Sequence, residues 1–289
     1  MAENDFPTGQ IFQFEGDPTI LNKYWIGEAQ VETKSDLYQP YLQVHHKTKS
    51  GWRTVAPNGS FNMVINSSEY QNAIKDYNIS ISKGYLFEKS TNIFSNYVND
   101  LFKMRQQYSK SDPMNFIAKL LLNSIYGRFG MDPVLNEHEF GNLERIQVLS
   151  KNVKDLDYEK IDEDLYFISY CGEADEESFG ISVSIASAVT AYARVYMSQF
   201  KNNPYYNLYY TDTDSIFIDK ELDSTLVNNK LGGMKLEYKF TDSVFLSPKV
   251  YAGKTAEGKQ IIKIKGFKDS SQLSMNDFKD LLQKDLLKL

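Results

Sequence analysis

The chain is short of soft metal ligands: its 289 residues hold one cysteine and three histidines. Cys171 alone excludes an intrachain disulfide and fits a reducing compartment. With His45, His46 and His138 it leaves no zinc-ligand spacing. No apolar run approaches the ~20 residues of a membrane-spanning helix, so no membrane role is expected. The opening residues MAENDFPTGQ are acidic and polar, unlike a secretory or transit sequence. Basic excess is missing too. The net charge is −6, which argues at first against a polyanionic partner.

The distribution of charge weakens that objection. Lys235 to Lys268 holds eight lysines against Glu237, Asp242 and Glu257, a local +5, whereas Asp155 to Glu177 holds ten acids against Lys160, a local −9. Phosphate binding needs a local basic groove rather than a basic protein. Either run could instead be a solvated face. Hydrophobic residues make up 42% and aromatic residues 14% of the chain, enough for a large core divided into two or three compact units.

The string YTDTDSIFID, Tyr210 to Asp219, sets two carboxylates two residues apart between strand-like runs. Residues i and i+2 of a strand or tight hairpin share a face, so Asp212 and Asp214 can aim at one point. Such hard oxygen ligands suit Mg²⁺, which takes one or two protein carboxylates plus substrate phosphates. A two-metal site would use the pair to hold an attacking hydroxyl, a phosphorus and a leaving oxygen. Asp-Thr-Asp is also ordinary turn chemistry, with the side chains bonding the local backbone. A second string, KLLLNSIYG, puts Lys119, Asn123 and Tyr126 on one helical face at i, i+4 and i+7. Lys119 can meet phosphate as a point charge, or simply snorkel from an amphipathic helix.

In this order the two strings resemble motifs B and C of the family B DNA polymerases. Thr190-Ala191-Tyr192-Ala193-Arg194 resembles that family's template-primer motif Thr-x-x-(Gly/Ala)-Arg. Lys249-Val250-Tyr251 resembles its Lys-x-Tyr motif. The spacing, and the long segment ahead of motif B, are most similar to the protein-primed subgroup. GYLFEKS and KLLLNSIYGRFGM look like the polymerases of fungal mitochondrial linear plasmids, which implies a mitochondrial setting. The resemblance implies templated transfer of a nucleotide from dNTP to a primer 3′-hydroxyl or a terminal-protein hydroxyl. Asp212 and Asp214 would ligate Mg²⁺, with Asp214 the stronger ligand, bridging both metals. Lys119 would grip the triphosphate together with Arg105. Tyr126 would pack under the nascent sugar and exclude a 2′-hydroxyl, and Asn123 would support that pocket. Thr190 and Arg194 would meet the template-primer backbone, and Lys249 and Tyr251 the primer terminus.

The expected fold is α+β: a polymerase palm with an antiparallel sheet, helical-hairpin fingers, a partial thumb and a β-rich N-terminal insertion. Residues 1–90 alternate strands with turns at KSG and PNG and include a short helix, SSEYQNAIKDY, with serine at its start. By resemblance this insertion contacts the terminal protein and channels DNA. Residues 91–130 form the fingers, with Asp112 as cap and Pro113 at the first position of the motif B helix. Residues 131–180 form an acidic second insertion with strand-like patches at RIQVLS and LYFISYC. Residues 181–241 hold a helix of small and apolar residues and the motif C hairpin, and 242–289 begin a thumb. A family B site uses a third carboxylate, on a motif resembling Asp-x-x-Ser-Leu-Tyr-Pro, and no such string occurs. Asp5-Phe6-Pro7-Thr8-Gly9 resembles the segment just downstream of it. The chain is therefore expected to be a C-terminal portion that needs the missing N-terminal part and is nearly inert alone. The rival expectation is an inactive remnant that binds DNA or terminal protein.

Overall fold

The structure is a computed structural model that describes residues 1–49, 51–131, 136–171, 181–267 and 272–286. It divides into two compact units. One comprises Met1–Gln30, Asn62–Ile74 and Ile79–Tyr192, and the other Val31–Phe61, Lys75–Asn78 and Ala193–Leu289.

The N-terminal third alternates as its sequence pattern predicts. Strands β1 (Phe6–Glu15), β2 (Trp25–Thr33), β3 (Val44–Thr48), β4 (Gly51–Val55) and β5 (Ser60–Asn66) lead to helix α1 (Ser67–Ala73) and strand β6 (Tyr77–Thr91). Four of these strands form a sheet in the order β1-β6-β2-β5. Along β2, Trp25, Gly27, Ala29 and Val31 are buried while Glu28, Gln30 and Glu32 are exposed, the period of two of a half-buried strand. The β1–β6 register slips between Thr8 and Ile11. Gly9 sits there at φ +78°, where a Cβ would come within 2.7 Å of the Glu88 carboxylate. Ser67 does begin α1, but the capping position is Asn66. Its side chain is drawn instead into a buried network, accepting from the Tyr24 hydroxyl and donating to Ser187 Oγ.

The expected pair of helices forms. Helix α2 (Ser95–Gln107) and helix α3 (Pro113–Phe129) pack on each other, with Asp112 accepting from the Met114 N–H and Pro113 at the first helical position. Asn115 closes the hairpin by donating to the carbonyls of Arg105 and Tyr108. Leu122, Ile125 and Phe129 pack onto a core of Phe6, Tyr24, Phe87, Phe94, Val98, Ile185 and Ala188.

A small satellite follows. Strands β7 (Asn136–Gly141), β8 (Lys154–Asp162) and β9 (Leu165–Cys171) make a sheet in the order β7-β9-β8, carrying helix α4 (Leu143–Asn152). The expected strand at RIQVLS is wrong: it is the body of α4. Asn142 caps the helix through the Arg145 N–H, and Ile146 and Leu149, three apart, face Ile168 of the sheet. A cap and an i, i+3 apolar pair outweigh the local β-like composition. LYFISYC is strand β9, as read. Residues 132–135 and 172–180 of this stretch, with five of its acids, lie outside the described residues.

Helix α5 (Val183–Ser198) is followed by the hairpin β10 (Leu208–Asp212) and β11 (Ser215–Ile218). A three-stranded antiparallel sheet, β12 (Phe240–Ser247), β13 (Val250–Thr255) and β14 (Gln260–Ile264), then receives helix α6 (Met275–Leu286). Met275 and Phe278 pack against Val244 and Ala252. The expected end of that helix at Leu289, and Lys268 of the basic stretch, lie outside the described residues.

Candidate active site

Asp212 and Asp214 come together at one hairpin. Asp212 is the last residue of β10 and pairs with Ser215, leaving Thr213 and Asp214 as a two-residue turn. Thr213 adopts φ +50°. Left-handed backbone is costly for a β-branched residue, about 1–2 kcal/mol, so the turn stores strain at the carboxylates. The Thr213 hydroxyl donates to Asp212 Oδ1 at 3.1 Å. Asp219 closes the base of the hairpin, accepting from the backbone and side-chain nitrogens of Asn207.

A second two-residue turn meets this one. Ser247 pairs with Val250, so Pro248 and Lys249 connect β12 to β13, with Lys249 at φ +64°. Proline then a left-handed residue is a type II pattern, with lysine where glycine is usual. The Lys249 backbone N–H donates to the Tyr210 hydroxyl at 2.7 Å. Its ammonium donates to both Asp212 oxygens, at 2.9 and 2.7 Å. The pair is partly open to water, with 50% of the lysine side chain and 29% of the aspartate exposed. Burial works against the Asp212 charge, but hydrogen bonds from Lys249 and Thr213 and the lysine charge outweigh it. The carboxyl is held below its ordinary value. Lys249 is raised in turn, chiefly by its bond to Asp212.

Beneath the turns lies an aromatic cluster that sequence reading did not assemble. Tyr210 stacks on Phe245, centroids 5.2 Å apart and 8° from parallel. Phe217 packs on Phe245 at 5.0 Å and on Tyr251 at 5.2 Å. Phe240 stacks on Phe217 and lies over Gly253, where a Cβ would come within 2.5 Å of its ring. Burial raises the Tyr251 phenol above its usual pKa. The signal was present in the sequence: Tyr210 and Asp212 share one face at i, i+2, as do Lys249 and Tyr251. The partnership between the two pairs was not.

The remaining site residues sit on helices. Lys119, Asn123 and Tyr126 are all exposed on α3, on a side that flanks the stripe of Ala118, Leu122, Ile125 and Phe129. Arg105 is half-buried in the last turn of α2. Thr190 and Arg194 are four apart on α5, and the Thr190 hydroxyl donates to the Ser187 carbonyl. The lysine-rich stretch is less free than its composition suggests. Lys239 pairs with Glu221 and Lys249 with Asp212.

The donor set at the two turns fits a hard cation. Asp214 is exposed and has no hydrogen bond or ion pair among the described residues. Asp212 is matched by an ammonium. Among the described residues no group of three His, Cys, Asp or Glu gathers into a self-sufficient metal site. A divalent ion here would draw its other ligands from phosphate oxygens, water or further carboxylates, as Mg²⁺ commonly does.

Comparison with known proteins adds a family and a fold. The family described as DNA polymerase type B, organellar and viral, matches residues 1–207. A probable DNA polymerase of Ascobolus immersus is 40% identical over 297 residues, covering 100% of this chain and 24% of that protein. One from Neurospora intermedia is 36% identical over 266 residues, covering 89% of this chain and 27% of its own. The chain thus spans about a quarter of the length of these relatives. Phi29 DNA polymerase in an orthorhombic crystal form superposes with a TM-score of 0.69 at 19% identity, over 95% of this chain and 50% of that one. The same polymerase complexed with primer-template DNA and incoming nucleotide gives 0.68 at 18% identity, over 95% of this chain and 50% of that one.

Proposed function

The chain belongs to the organellar and viral type B DNA polymerases, and we propose that it is the part of such an enzyme that bears motifs B and C and the start of the thumb. The reaction is attack of a primer 3′-hydroxyl on the α-phosphorus of an incoming dNTP, with pyrophosphate leaving. In protein-primed initiation the first hydroxyl belongs to a terminal protein. The observation that carries this reading is the strained Asp212-Thr213-Asp214 turn, held against the Lys249 turn by an ion pair and an aromatic cluster.

Asp212 and Asp214 would hold Mg²⁺, which when bound supplies Lewis-acid polarisation of phosphoryl oxygen and a lower pKa at the primer hydroxyl. Asp214 would be the principal ligand, since Asp212 already has Lys249 as counter-ion. Lys249 therefore has two possible anionic partners, the Asp212 carboxylate and the phosphate of a primer end. Its ammonium can move from one to the other as DNA arrives. Tyr251 holds the primer terminus from the aromatic floor.

On α3, Lys119 meets the triphosphate as a point charge, assisted by Arg105. Tyr126 packs under the nascent sugar and base, and Asn123 supports that pocket. Thr190 and Arg194 contact the template-primer backbone. The fungal relatives and the organellar family support a mitochondrial setting. Asp212 and Asp214 would be two of the three carboxylates that the resembling family uses, and a fragment can supply the third. The test is to mix it with a fragment carrying Asp-x-x-Ser-Leu-Tyr-Pro and assay dNTP incorporation on a primed template. Incorporation by the mixture, with a raised dNTP KM in Lys119→Ala and easier ribonucleotide entry in Tyr126→Ala, is the expected result. Association of the two parts without incorporation would leave the chain a binding module.

A further inference from the structure

The β3–β4 hairpin stands apart from every motif used above. Between Asp36 and Glu69 the chain has no acid at all, although its net charge is −6. That interval holds Lys47, Lys49 and Arg53, with His45 and His46 beside them. None of the three cations has an ion-pair partner among the described residues.

The hairpin is a two-stranded ribbon, pairing Val44 with Val55, His45 with Thr54, His46 with Arg53 and Lys47 with Trp52. Cross-strand partners share a face. One face therefore carries His45, Lys47, Trp52 and Thr54, and the other His46 and Arg53. Every residue of β4 is exposed, and so are His45, His46 and Lys47. Trp52 is 65% exposed, whereas Trp25 is 3% exposed.

A lone two-stranded ribbon is marginal in water, and this one is pinned at its base. Leu37 and Asn58 exchange two hydrogen bonds, as do Gln39 and Asn202. Tyr41 is buried against Tyr77. The base is fixed while the ribbon presents an indole and unpaired cations to solvent.

We propose that the Lys47–Trp52 face is a binding site for an unpaired nucleic-acid strand. The Trp52 ring stacks on a base, and Lys47, with Lys49 at the tip, meets the flanking phosphates. Stacking needs an open base face, which a duplex does not offer, and cationic grooves with aromatic platforms are how single strands are held. The inference rests on the polymerase reading and extends it to a segment with no catalytic motif.

The two tryptophans make the test direct. Tryptophan emission of the whole chain is followed on addition of an oligothymidylate strand or a duplex, with anisotropy of labelled DNA in parallel. The single strand should quench emission in the native chain and leave Trp52→Phe, which keeps only the buried Trp25, unquenched. Trp52→Ala should weaken single-strand binding about five- to a hundredfold. Lys47→Gln with Lys49→Gln should flatten the log–log salt dependence by about 1.4, at roughly 0.7 per phosphate. Equal quenching by the duplex, or undiminished quenching in Trp52→Phe, would overturn the proposal. So would DNA binding by anisotropy without quenching, which would leave the ribbon to a protein partner. No DNA binding by either readout would remove the polymerase reading of this chain as well, so the two failures are distinct.

Discussion

Two hairpins in the second unit are both two-stranded and antiparallel, and their environments are opposite. β10–β11 sets its own Tyr210 and Phe217 against Phe245 and Tyr251, and one of its two carboxylates is already matched by Lys249. β3–β4 has both faces in water and its cations unmatched. A hairpin is only a scaffold. Packing beneath it fixes side chains to the tolerance catalysis needs, and openness leaves charge and ring available to a partner that must be captured.

The contrast can be broken most forcefully by truncation. Phe217→Ala should lower the stability of the second unit by about 2–3 kcal/mol, below the usual loss for a fully buried phenylalanine because Phe217 is half-buried. Trp52→Ala should stay within about 0.5 kcal/mol, as surface substitutions do. Urea unfolding compares them. Equal losses would mean that the ribbon is packed after all.

Next comes the ion pair. Lys249→Ala removes a cation from the metal's neighbourhood and a competitor for Asp212. Affinity for Mn²⁺, titrated calorimetrically as a stand-in for Mg²⁺, should rise about tenfold, roughly the Coulomb energy of a nearby charge in water-like surroundings. Unchanged affinity would place the ion away from Asp212.

The same pair predicts a pH dependence. Asp212 is depressed in the folded state, so its contribution is present above the unfolded aspartate pKa of about 3.9 and lost as pH falls through the lower folded value. Lys249 is raised, so its contribution is full below about 10.4 and lost as pH rises through the higher folded value. Lys249→Met should flatten both limbs of the stability curve, measured by unfolding midpoint. If the acid limb is unchanged, the pair contributes nothing to folding.

The smallest effect is at the strained turn. Thr213→Gly relieves left-handed backbone but adds unfolded-state entropy, for a net gain of about 0.5 kcal/mol. A loss would mean that the Thr213 hydroxyl bond to Asp212 outweighs the strain.

Much of this was legible in local signals. Asp112-Pro113 announced the start of α3, and the spacing of Lys119, Asn123 and Tyr126 gave one exposed side, which flanks the stripe of Leu122, Ile125 and Phe129 that packs on the core. The Asp-Thr-Asp hairpin followed from period-two runs around a turn. What escaped was long-range or finely balanced. RIQVLS has β-like composition, and only the Asn142 cap and contacts to Ile168 tip it to helix. Lys249 on Asp212 joins residues 37 apart, and no local pattern encodes which two turns will meet. The lysine count likewise hid that Lys239 and Lys249 have acidic partners.

The Asp212–Asp214 turn is proposed as the metal-holding heart of a DNA-polymerising site. Its most direct test is Mg²⁺-dependent primer extension by the chain combined with the fragment carrying the third carboxylate, comparing native protein with Asp214→Ala. The account predicts that Asp214→Ala loses at least about a hundredfold in incorporation, the scale of removing one preorganised electrostatic group, while primer-template binding by anisotropy stays nearly intact. Incorporation within about tenfold of native, a barrier change of only about 1.4 kcal/mol, would contradict it.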